Sequence, residues 1–342
     1  MKKIYSILCL FVAVAATVSC SDDDEIVLST LNNISAFEIN FEGLTTEDVT
    51  YDLGNSITIS VPFNTSLTAL VPTIEIAEAA TISPASGTAV DFVDGVAVPF
   101  TVTAEDGISV KTYNVTINVR GEVGSGSRIE TYTLADLYGE NSVSTYKYAE
   151  SNFVNEITKE VNDWGDITTT IYTLVYDDKN QVIEVKSEAA ELSTVYSYNE
   201  AGQIETGVYK VKDELTYTYA YAYDTDGNLT SETRTNHTDS DAVTVITFTT
   251  DNGNVIKEDR YGEVYEAAYD DKNNPFKGIY PAAYSAINVG IQSVNVNNPI
   301  SGTLADDVVT YEYNTDGYPI SAAYTYFGGF ATVDKTFTYY VE

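Results

Sequence analysis

The chain has 342 residues, and its 51 acidic side chains against 17 Lys and Arg give a formal net charge of −34 at pH 7. Nucleic acid and anionic lipid surfaces are therefore poor partners, because binding to them depends on basic side chains that neutralise phosphates. With two cysteines and one histidine, the composition excludes a zinc site built from several histidines. No motif indicates a catalytic residue, a cofactor or a metal ligand set.

The first 19 residues have the pattern of a signal peptide. Lys2 and Lys3 precede an uncharged, apolar stretch over residues 4–18, which is shorter than the about 20 apolar residues that a membrane-spanning helix needs. Residues 17–20, Thr-Val-Ser-Cys, resemble a lipobox, although Thr17 stands where most lipoboxes have Leu. The resemblance implies acylation of Cys20, cleavage just before it, and a membrane anchor. An ordinary signal peptide cut nearby, or an uncleaved helix, is the alternative.

An acidic run follows this cysteine directly. It consists of Ser21, Asp22, Asp23, Asp24 and Glu25. Acidic runs are usually solvated, so residues 20–29 are interpreted as an acidic tether. The run also resembles the export signal of Bacteroidota surface lipoproteins, which implies the outer face of the outer membrane, with the periplasmic face as the alternative. With Cys9 removed and Cys20 acylated, the mature chain would have no disulfide and no thiolate nucleophile.

Residues 30–120 carry short segments of alternating apolar and polar residues. Ile57, Ile59 and Val61 lie on one face of a predicted strand, and the same alternation recurs over residues 96–102 and 113–119. The turn signal Glu105-Asp106-Gly107 predicts a hairpin between the last two strands. About seven such strands are typical of an Ig-like β-sandwich. The sequence therefore predicts an all-β fold for this domain.

Three stretches of this domain carry a family resemblance. Residues 82–92, 98–107 and 113–117 resemble an Ig-like module near the N-terminus of many Bacteroidota surface lipoproteins, which implies a spacer or adhesion role. Residues 121–127, Gly-Glu-Val-Gly-Ser-Gly-Ser, then predict a flexible linker. This linker separates the first domain from a second one over residues 128–342.

The second domain is a tandem repeat. Its unit begins with Tyr and Asp or Asn, continues through Gly or Asn, and ends in an aliphatic residue or Pro. The copies span residues 176–182, 198–204, 223–229, 249–255 (without the Tyr), 269–275 and 313–319. The Asp or Asn side chain can accept backbone N–H groups of a tight turn, and Gly or Asn supplies its positive φ. The pattern predicts a repetitive antiparallel β-meander, with a degenerate copy in the wide gap after residue 275.

The repeat unit resembles the YD repeat of lipoproteins from the same bacterial group, a distant relative of the repeats in Rhs-type toxins. Toxin repeats prefer Arg after the Gly, whereas this chain has Gln203, Asn228 and Tyr318 there. No toxin domain is expected after the repeats. The resemblance therefore implies a repetitive β domain without toxin activity.

Tyrosine is the most distinctive residue type, with 28 copies. Tyr217, Tyr219, Tyr221 and Tyr223 alternate with smaller residues, so their rings share one face of a strand. This face is either a platform for sugar rings or peptide, or the sheet's own apolar layer with its hydroxyls at the edge. Trp164 is predicted at a hairpin tip, as a glycan contact or as part of a packed turn.

Two further segments have simpler explanations. Residues 224–228, Asp-Thr-Asp-Gly-Asn, are similar to the start of a calcium loop, but Thr235 stands where an EF-hand requires Glu. His237 lies in a polar run over residues 235–241, most simply a loop. A glycosidase needs two carboxyls at a set separation, and no pair of acids stands out for that role.

The sequence thus favours a non-catalytic surface lipoprotein that binds glycan or protein through its repeat domain. The second hypothesis is an envelope structural or assembly component without a small ligand. The third is a carboxylate-based hydrolase. Partners are expected to be a membrane, reached through the N-terminal lipid, and a polysaccharide or protein ligand, but no nucleic acid.

The lipid anchor can be tested at Cys20. We expect Cys20→Ala to abolish lipid labelling and to move the protein from the membrane fraction to the soluble fraction, because the thiol is the acylation site. Cys9→Ala is the matched control and should leave both properties unchanged. A Cys20→Ala protein that stayed acylated and membrane-bound would contradict the anchor.

Overall fold

The structure is a computed structural model that describes residues 27–54, 56–136, 140–288, 293–303, 308–326 and 331–340. It is nearly all β, with 56% strand and 2% helix, which confirms the predicted fold class. No described helix is long and apolar enough to cross a membrane. The signal peptide, Cys20 and the acidic run Ser21, Asp22, Asp23, Asp24 and Glu25 lie outside the described residues.

The chain divides into two compact units near residue 117, and the described part of the first contains two sheets. Its strands are β1 (Ile34–Ile39), β2 (Thr50–Leu53), β3 (Ser56–Val61), β4 (Pro72–Ile76), β5 (Thr81–Ser83), β6 (Val98–Thr103) and β7 (Val110–Val119). β1 pairs with β4, and the other five strands form a sheet in the order β2-β3-β7-β6-β5. The assignment of this unit as Ig-like stays a prediction.

The core of the first unit lies between its two sheets. Phe37 of β1 meets Phe100 of β6 edge to face, with ring centroids 5.3 Å apart. Ile57, Ile59 and Val61 are all buried, so the alternation predicted for β3 is confirmed. The hairpin predicted between β6 and β7 is also confirmed, because these strands pair in antiparallel register.

The second unit has the other seventeen strands and one short helix of the described chain. The strands are β8 (Ile129–Asp136), β9 (Glu140–Tyr148), β10 (Val154–Asp163), β11 (Asp166–Tyr176), β12 (Val182–Ser187), β13 (Leu192–Tyr198), β14 (Ile204–Val211), β15 (Glu214–Tyr223), β16 (Leu229–Asn236), β17 (Ala242–Asp251), β18 (Asn254–Arg260), β19 (Glu263–Glu266), β20 (Ala268–Tyr269), β21 (Pro299–Ser301), β22 (Val309–Tyr313), β23 (Pro319–Tyr326) and β24 (Ala331–Tyr339). The helix is α1 (Ala282–Ile287).

One sheet of 15 strands dominates this unit. From β8 to β19 each strand pairs with the next along the chain, which is the meander that the repeat predicted. The last three strands depart from that order, because β24 returns to pair with β8 and extends the sheet through β23 to β22. The first and the last long strands of the unit are therefore neighbours.

The repeat turns have the chemistry that the sequence predicted. In four copies the Asp or Asn Oδ1 accepts the N–H groups two and four residues ahead, at 2.8–3.0 Å. The four capping residues are Asp177, Asn199, Asp224 and Asn314. Positive φ is supplied by Asn180, Gly202, Gly227 and Gly317. We call the end of the sheet that carries these turns the repeat-turn end.

The repeat tyrosines connect neighbouring hairpins. Tyr198 donates its hydroxyl proton to the Val182 carbonyl (2.8 Å), and Tyr223 donates to Ile204 (2.7 Å), so each bond reaches the last residue of the preceding copy. The same bond is made by Tyr148 to Ile129, Tyr176 to Val154, Tyr269 to Val255 and Tyr339 to Pro319. We call these six bonds the hydroxyl ladder. The copy over residues 148–154, which ends at Val154, was not predicted.

The described residues between 275 and 313 depart from the meander, and the degenerate copy expected there stays a prediction. The chain leaves the large sheet after β19, forms the two-stranded sheet β20–β21, and carries α1 between these two strands. Asp270 still accepts the Lys272 N–H at 3.0 Å, but its second N–H donor is Asn298, far along the chain. The turn therefore opens into an insertion, residues 270–298, instead of a hairpin.

The segment 121–127 packs against the second unit. Its Gly124 N–H donates to the Ser151 carbonyl at 2.8 Å, and its Gly126 N–H donates to Gly278 at 3.1 Å. A Cβ at Gly126 would lie 2.6 Å from Ile279, so the glycine permits a close approach of two backbones. The predicted flexibility of this segment is therefore wrong, because its glycines serve packing. Its role as the boundary between two domains stays a prediction.

The hydroxyl ladder can be tested at Tyr223. We expect Tyr223→Phe to lower the free energy of unfolding by about 1 kcal/mol, because the Ile204 carbonyl loses a donor. Tyr217→Phe on the same strand is the control, since the Tyr217 hydroxyl makes none of the described hydrogen bonds. Urea titration of both variants measures the difference, and equal losses would contradict the ladder.

The turn caps predict a pH effect at Asp224. Hydrogen bonds from Asn228 hold the pKa of the Asp224 carboxyl below its usual value. Its stabilising contribution is present above the unfolded-state pKa and is lost as the pH falls through the lower folded-state pKa. Asp224→Asn keeps the Oδ1 acceptor, as Asn199 does, and should lose less stability than the wild type between neutral and acid pH.

Urea unfolding of wild type and Asp224→Asn at pH about 7 and about 2.5 measures this difference. Asp226→Asn in the same turn is the matched control, since the Asp226 carboxylate accepts none of the described hydrogen bonds. Identical acid sensitivity of wild type and Asp224→Asn would contradict the assigned role of the carboxylate.

Candidate functional site

A cavity of about 710 Å³ lies inside the second unit. Its lining residues come from β8 to β14, from β22 and β24, and from the insertion. Because strands from both sides of the β8–β24 junction border it, the sheet curves around this space. The volume is within the range of small-molecule sites, which are concave and mostly apolar with a few polar groups.

The insertion closes the cavity at the repeat-turn end. The Val296 N–H donates to the Gly253 carbonyl at 3.2 Å, and the Asn273 N–H donates to Gly317 at 3.0 Å. Both acceptors lie in repeat turns. The insertion is thus fixed to turns that lie far apart along the sheet.

Buried asparagines hold this closure in place. Asn254 Oδ1 accepts the N–H groups of Val296 (3.0 Å) and Asn297 (2.9 Å). Asn295 Oδ1 accepts the Val255 N–H at 2.8 Å, and Asn274 Nδ2 donates to the Asn295 carbonyl at 2.9 Å. A buried amide is costly unless it is hydrogen-bonded. These side chains therefore favour the one position of the insertion in which all of their hydrogen bonds are made.

Aromatic rings of the insertion pack on the sheet and form the floor of the cavity. Tyr284 of α1 meets Tyr196 of β13 at 5.6 Å and Tyr280 at 5.5 Å between ring centroids. Phe276 meets Tyr132 of β8 at 5.6 Å. Burial raises the pKa of both Tyr196 and Tyr284. Their hydroxyls are therefore protonated at neutral pH and can donate hydrogen bonds.

The predicted tyrosine row lies on the inner face of β15. Its rings form a continuous series, with centroids of Tyr217 and Tyr219, and of Tyr219 and Tyr221, 6.3 Å apart. Tyr217 also stacks at 6.0 Å on Tyr209, which lines the cavity. All four rings of the row are half-buried. Tyr223 belongs to the hydroxyl ladder, and Tyr221 packs on the core. Tyr217 and Tyr219 lie farther from the repeat turns along β15.

Trp164 is placed at the tip of the β10–β11 hairpin, as predicted. It has φ +51°, and the next residue, Gly165, has φ +101°. The Gly165 N–H donates to Asn162 Oδ1 at 2.8 Å, which fixes the turn. The Trp164 side chain is 79% exposed. It lies at the end of the sheet opposite the repeat turns.

The remaining candidate residues lie outside the cavity lining. Asp224 caps its own turn, and no three His, Cys, Asp or Glu of the described ranges are grouped to hold a metal ion. His237 Nδ1 lies 2.6 Å from Asp241 Oδ1, and its Nε2 lies 3.0 Å from Thr218 Oγ1. Thr218 alternates with the inward tyrosines of β15, so this chain of three side chains is on the outer face of the sheet.

Sequence reasoning missed the residues that complete the cavity. Tyr280 and Tyr284 lie in the insertion, where a further repeat copy was expected. Tyr284 lies in α1 and Tyr280 just before it, and no sequence pattern singled out this pair. Lys159 and Lys335 also line the cavity. Each points to the inner face together with apolar residues two positions away on its strand. No local sequence pattern distinguishes them from lysines on the outer face.

The first unit matches a known family model. Residues 34–117 match the model described as "SGBP, N-terminal". The match covers the seven strands of the first unit nearly completely and none of the repeat sheet. No curated protein matches the chain.

Several solved structures share a distant likeness with the chain. A porin-like protein from Bacteroides uniformis is 14% identical, with a TM-score of 0.43, over 64% of this chain and 99% of that one. A proposed glycoside hydrolase from Bacteroides thetaiotaomicron is also 14% identical, with a TM-score of 0.24, over 94% and 100%. The complex TcdB2-TccC3-TEV is 12% identical, with a TM-score of 0.21, over 54% and 11%. These values are too low to transfer a function.

Proposed function

We propose that this chain is a non-catalytic surface lipoprotein of Bacteroidota type that binds glycan through its repeat domain. The observation that carries the proposal is the aromatic cavity together with the tyrosine row that continues from it. The match of residues 34–117 to the N-terminal model of a glycan-binding family supports the same class of ligand. Under this proposal Cys20 carries the lipid, and the acidic run directs the chain to the cell surface.

The chemistry of the cavity suits a sugar. Tyr209 and Tyr217 are half-buried; aromatic rings can stack on the apolar faces of sugar rings, while tyrosine hydroxyls donate hydrogen bonds to sugar oxygens. Polar groups that fix orientation are also present, since Ser144, Thr194 and Asn288 line the cavity. Apolar walls with a few polar groups are the usual composition of a small-ligand site.

The absence of acids from the lining supports binding instead of hydrolysis. None of the described residues that line the cavity is Asp or Glu, although the chain has 51 of them. Glycoside hydrolysis by the common mechanisms needs a pair of carboxyls beside the scissile bond. A sugar held in this cavity would therefore lie against rings, amides, hydroxyls and lysines.

A polysaccharide array with the chain from Ser21 to Glu342 tests the proposal. We expect binding to at least one glycan, weakened about twofold to tenfold by Tyr209→Ala or Tyr217→Ala, because one stacked ring contributes about 0.5–1.5 kcal/mol. Ile171→Ala, on the outer face of β11, is the control and should bind like the wild type. Thermal melting checks that each variant is folded.

Two outcomes would contradict this proposal. One is a folded protein that binds no glycan on the array. The other is binding that is indifferent to the tyrosine variants but lost with Ile171→Ala, which would place the site on the outer face.

A further inference from the structure

Four apolar side chains of the first unit lie unusually far out in solvent. Val27 is 91% exposed and Ile108 is 84% exposed, more than any other large apolar side chain of the described residues. Leu31 and Val110 are 62% and 53% exposed. We call these four side chains the N-terminal patch. Exposed apolar groups of this kind mark contacts with another protein or with a membrane.

The patch comes from two segments that are bonded to each other. The Ser29 N–H donates to Glu105 Oε2 at 2.9 Å, and the Asp106 N–H donates to the Ser29 carbonyl at 3.2 Å. Ser29 stands midway between the two patch residues of the N-terminal segment, and Ile108 follows Asp106 by two residues. The bonds therefore hold the N-terminal segment on the turn between β6 and β7.

This turn is fixed in a way that leaves Ile108 outside. Asp106 Oδ1 accepts the N–H groups of Ile108 at 2.9 Å and Ser109 at 2.8 Å, and its Oδ2 accepts the Ser109 hydroxyl at 2.6 Å. A carboxylate that caps its own turn in this way accepts any side chain at the exposed position. The turn therefore does not explain why an isoleucine stands at position 108.

The path of the chain places the patch at the end of the unit nearest to the predicted anchor. Val27 lies seven residues after Cys20, which at about 3.5 Å per residue allows at most about 25 Å between them. β7 begins at Val110, in the patch, and runs away from it to Val119. A lipid on Cys20 would thus keep this end of the unit, and not the opposite one, close to the bilayer.

We propose that the N-terminal patch contacts the lipid surface that holds the anchor, with Ile108 and Val27 entering the apolar part of the leaflet. The inference depends on the Cys20 anchor of the proposed function and adds a contact made by the folded chain itself. Because the anchor makes this contact intramolecular, a small apolar area suffices. The formal charge of −34 favours neutral lipid headgroups over anionic ones.

The test uses the acylated full chain in phosphatidylcholine vesicles. An environment-sensitive dye is attached at Ile108→Cys, which gives a unique thiol, because Cys9 leaves with the signal peptide and the Cys20 sulfur carries the lipid. Lipids with brominated acyl chains quench a dye that enters the apolar part of the leaflet. We expect the dye at position 108 to be quenched and its emission to shift to the blue.

Val96→Cys is the matched control. Val96 is also 53% exposed, but it lies at the other end of the unit, where the Gly95 N–H donates to the Ile117 carbonyl at 2.9 Å. Ile117 is seven residues from Val110 along β7, a distance of about 23 Å. The same dye at Val96→Cys should therefore show no quenching.

A second pair of variants tests the side chain itself. With the dye at Leu31→Cys, we expect Ile108→Asn to lower the population in contact with lipid at least about tenfold, because the burial of one large apolar side chain is lost. Val96→Asn with the same dye should leave the quenching unchanged. Melting temperatures show that each variant is folded.

The outcomes separate this inference from the glycan-binding function. Equal quenching at positions 108 and 96, no quenching at 108, or quenching that survives Ile108→Asn overturns the contact. A chain without lipid on Cys20 overturns the contact together with the anchor. Glycan binding is measured on the chain from Ser21 to Glu342, which carries no lipid, so none of these results alters it.

Discussion

The bond between a tyrosine hydroxyl and a backbone carbonyl of the preceding hairpin is the interaction on which the second unit depends. Tyr198 and Val182 show it in its simplest form. The strands are already paired through their backbones, so the hydroxyl adds a contact across two neighbouring hairpins at the repeat-turn end. Burial raises the pKa of the ladder tyrosines, to about 12 for Tyr269, and each hydroxyl keeps its proton. The repeat of 20-odd residues therefore carries its own connection to the next copy.

The tyrosines of the cavity lining are different residues from those of the hydroxyl ladder, but they lie on the same strands. Tyr196 and Tyr146 line the cavity and stand two residues before Tyr198 and Tyr148 of the ladder. Because side chains two residues apart in a strand share a face, each of these strands presents one ring to the ladder and one to the cavity. The insertion adds Tyr280 and Tyr284 at one end of this cavity.

Local chemistry was predictable from the sequence, and long-range pairing was not. Asp224 and Gly227 specify their turn within five residues, so the cap and the positive φ were predicted correctly. The insertion escaped prediction because Asp270 has the same side chain as the other caps, and only Asn298, far along the chain, changes its role. Alternation placed Tyr217 and Tyr219 on one face of their strand. Whether that face is the inner or the outer one depends on how distant strands pair, as β24 does with β8, and no local pattern predicts that pairing.

The pairing of β24 with β8 has a consequence for the order of folding. β8 is made early, and its second neighbour is the last strand of the sheet, so one of its edges has no partner until nearly the whole chain is present. An open strand edge invites pairing with other chains, and contacts between residues far apart in sequence form slowly. The sheet can elongate hairpin by hairpin from β8 to β19, but it is completed only when the C-terminal strands arrive.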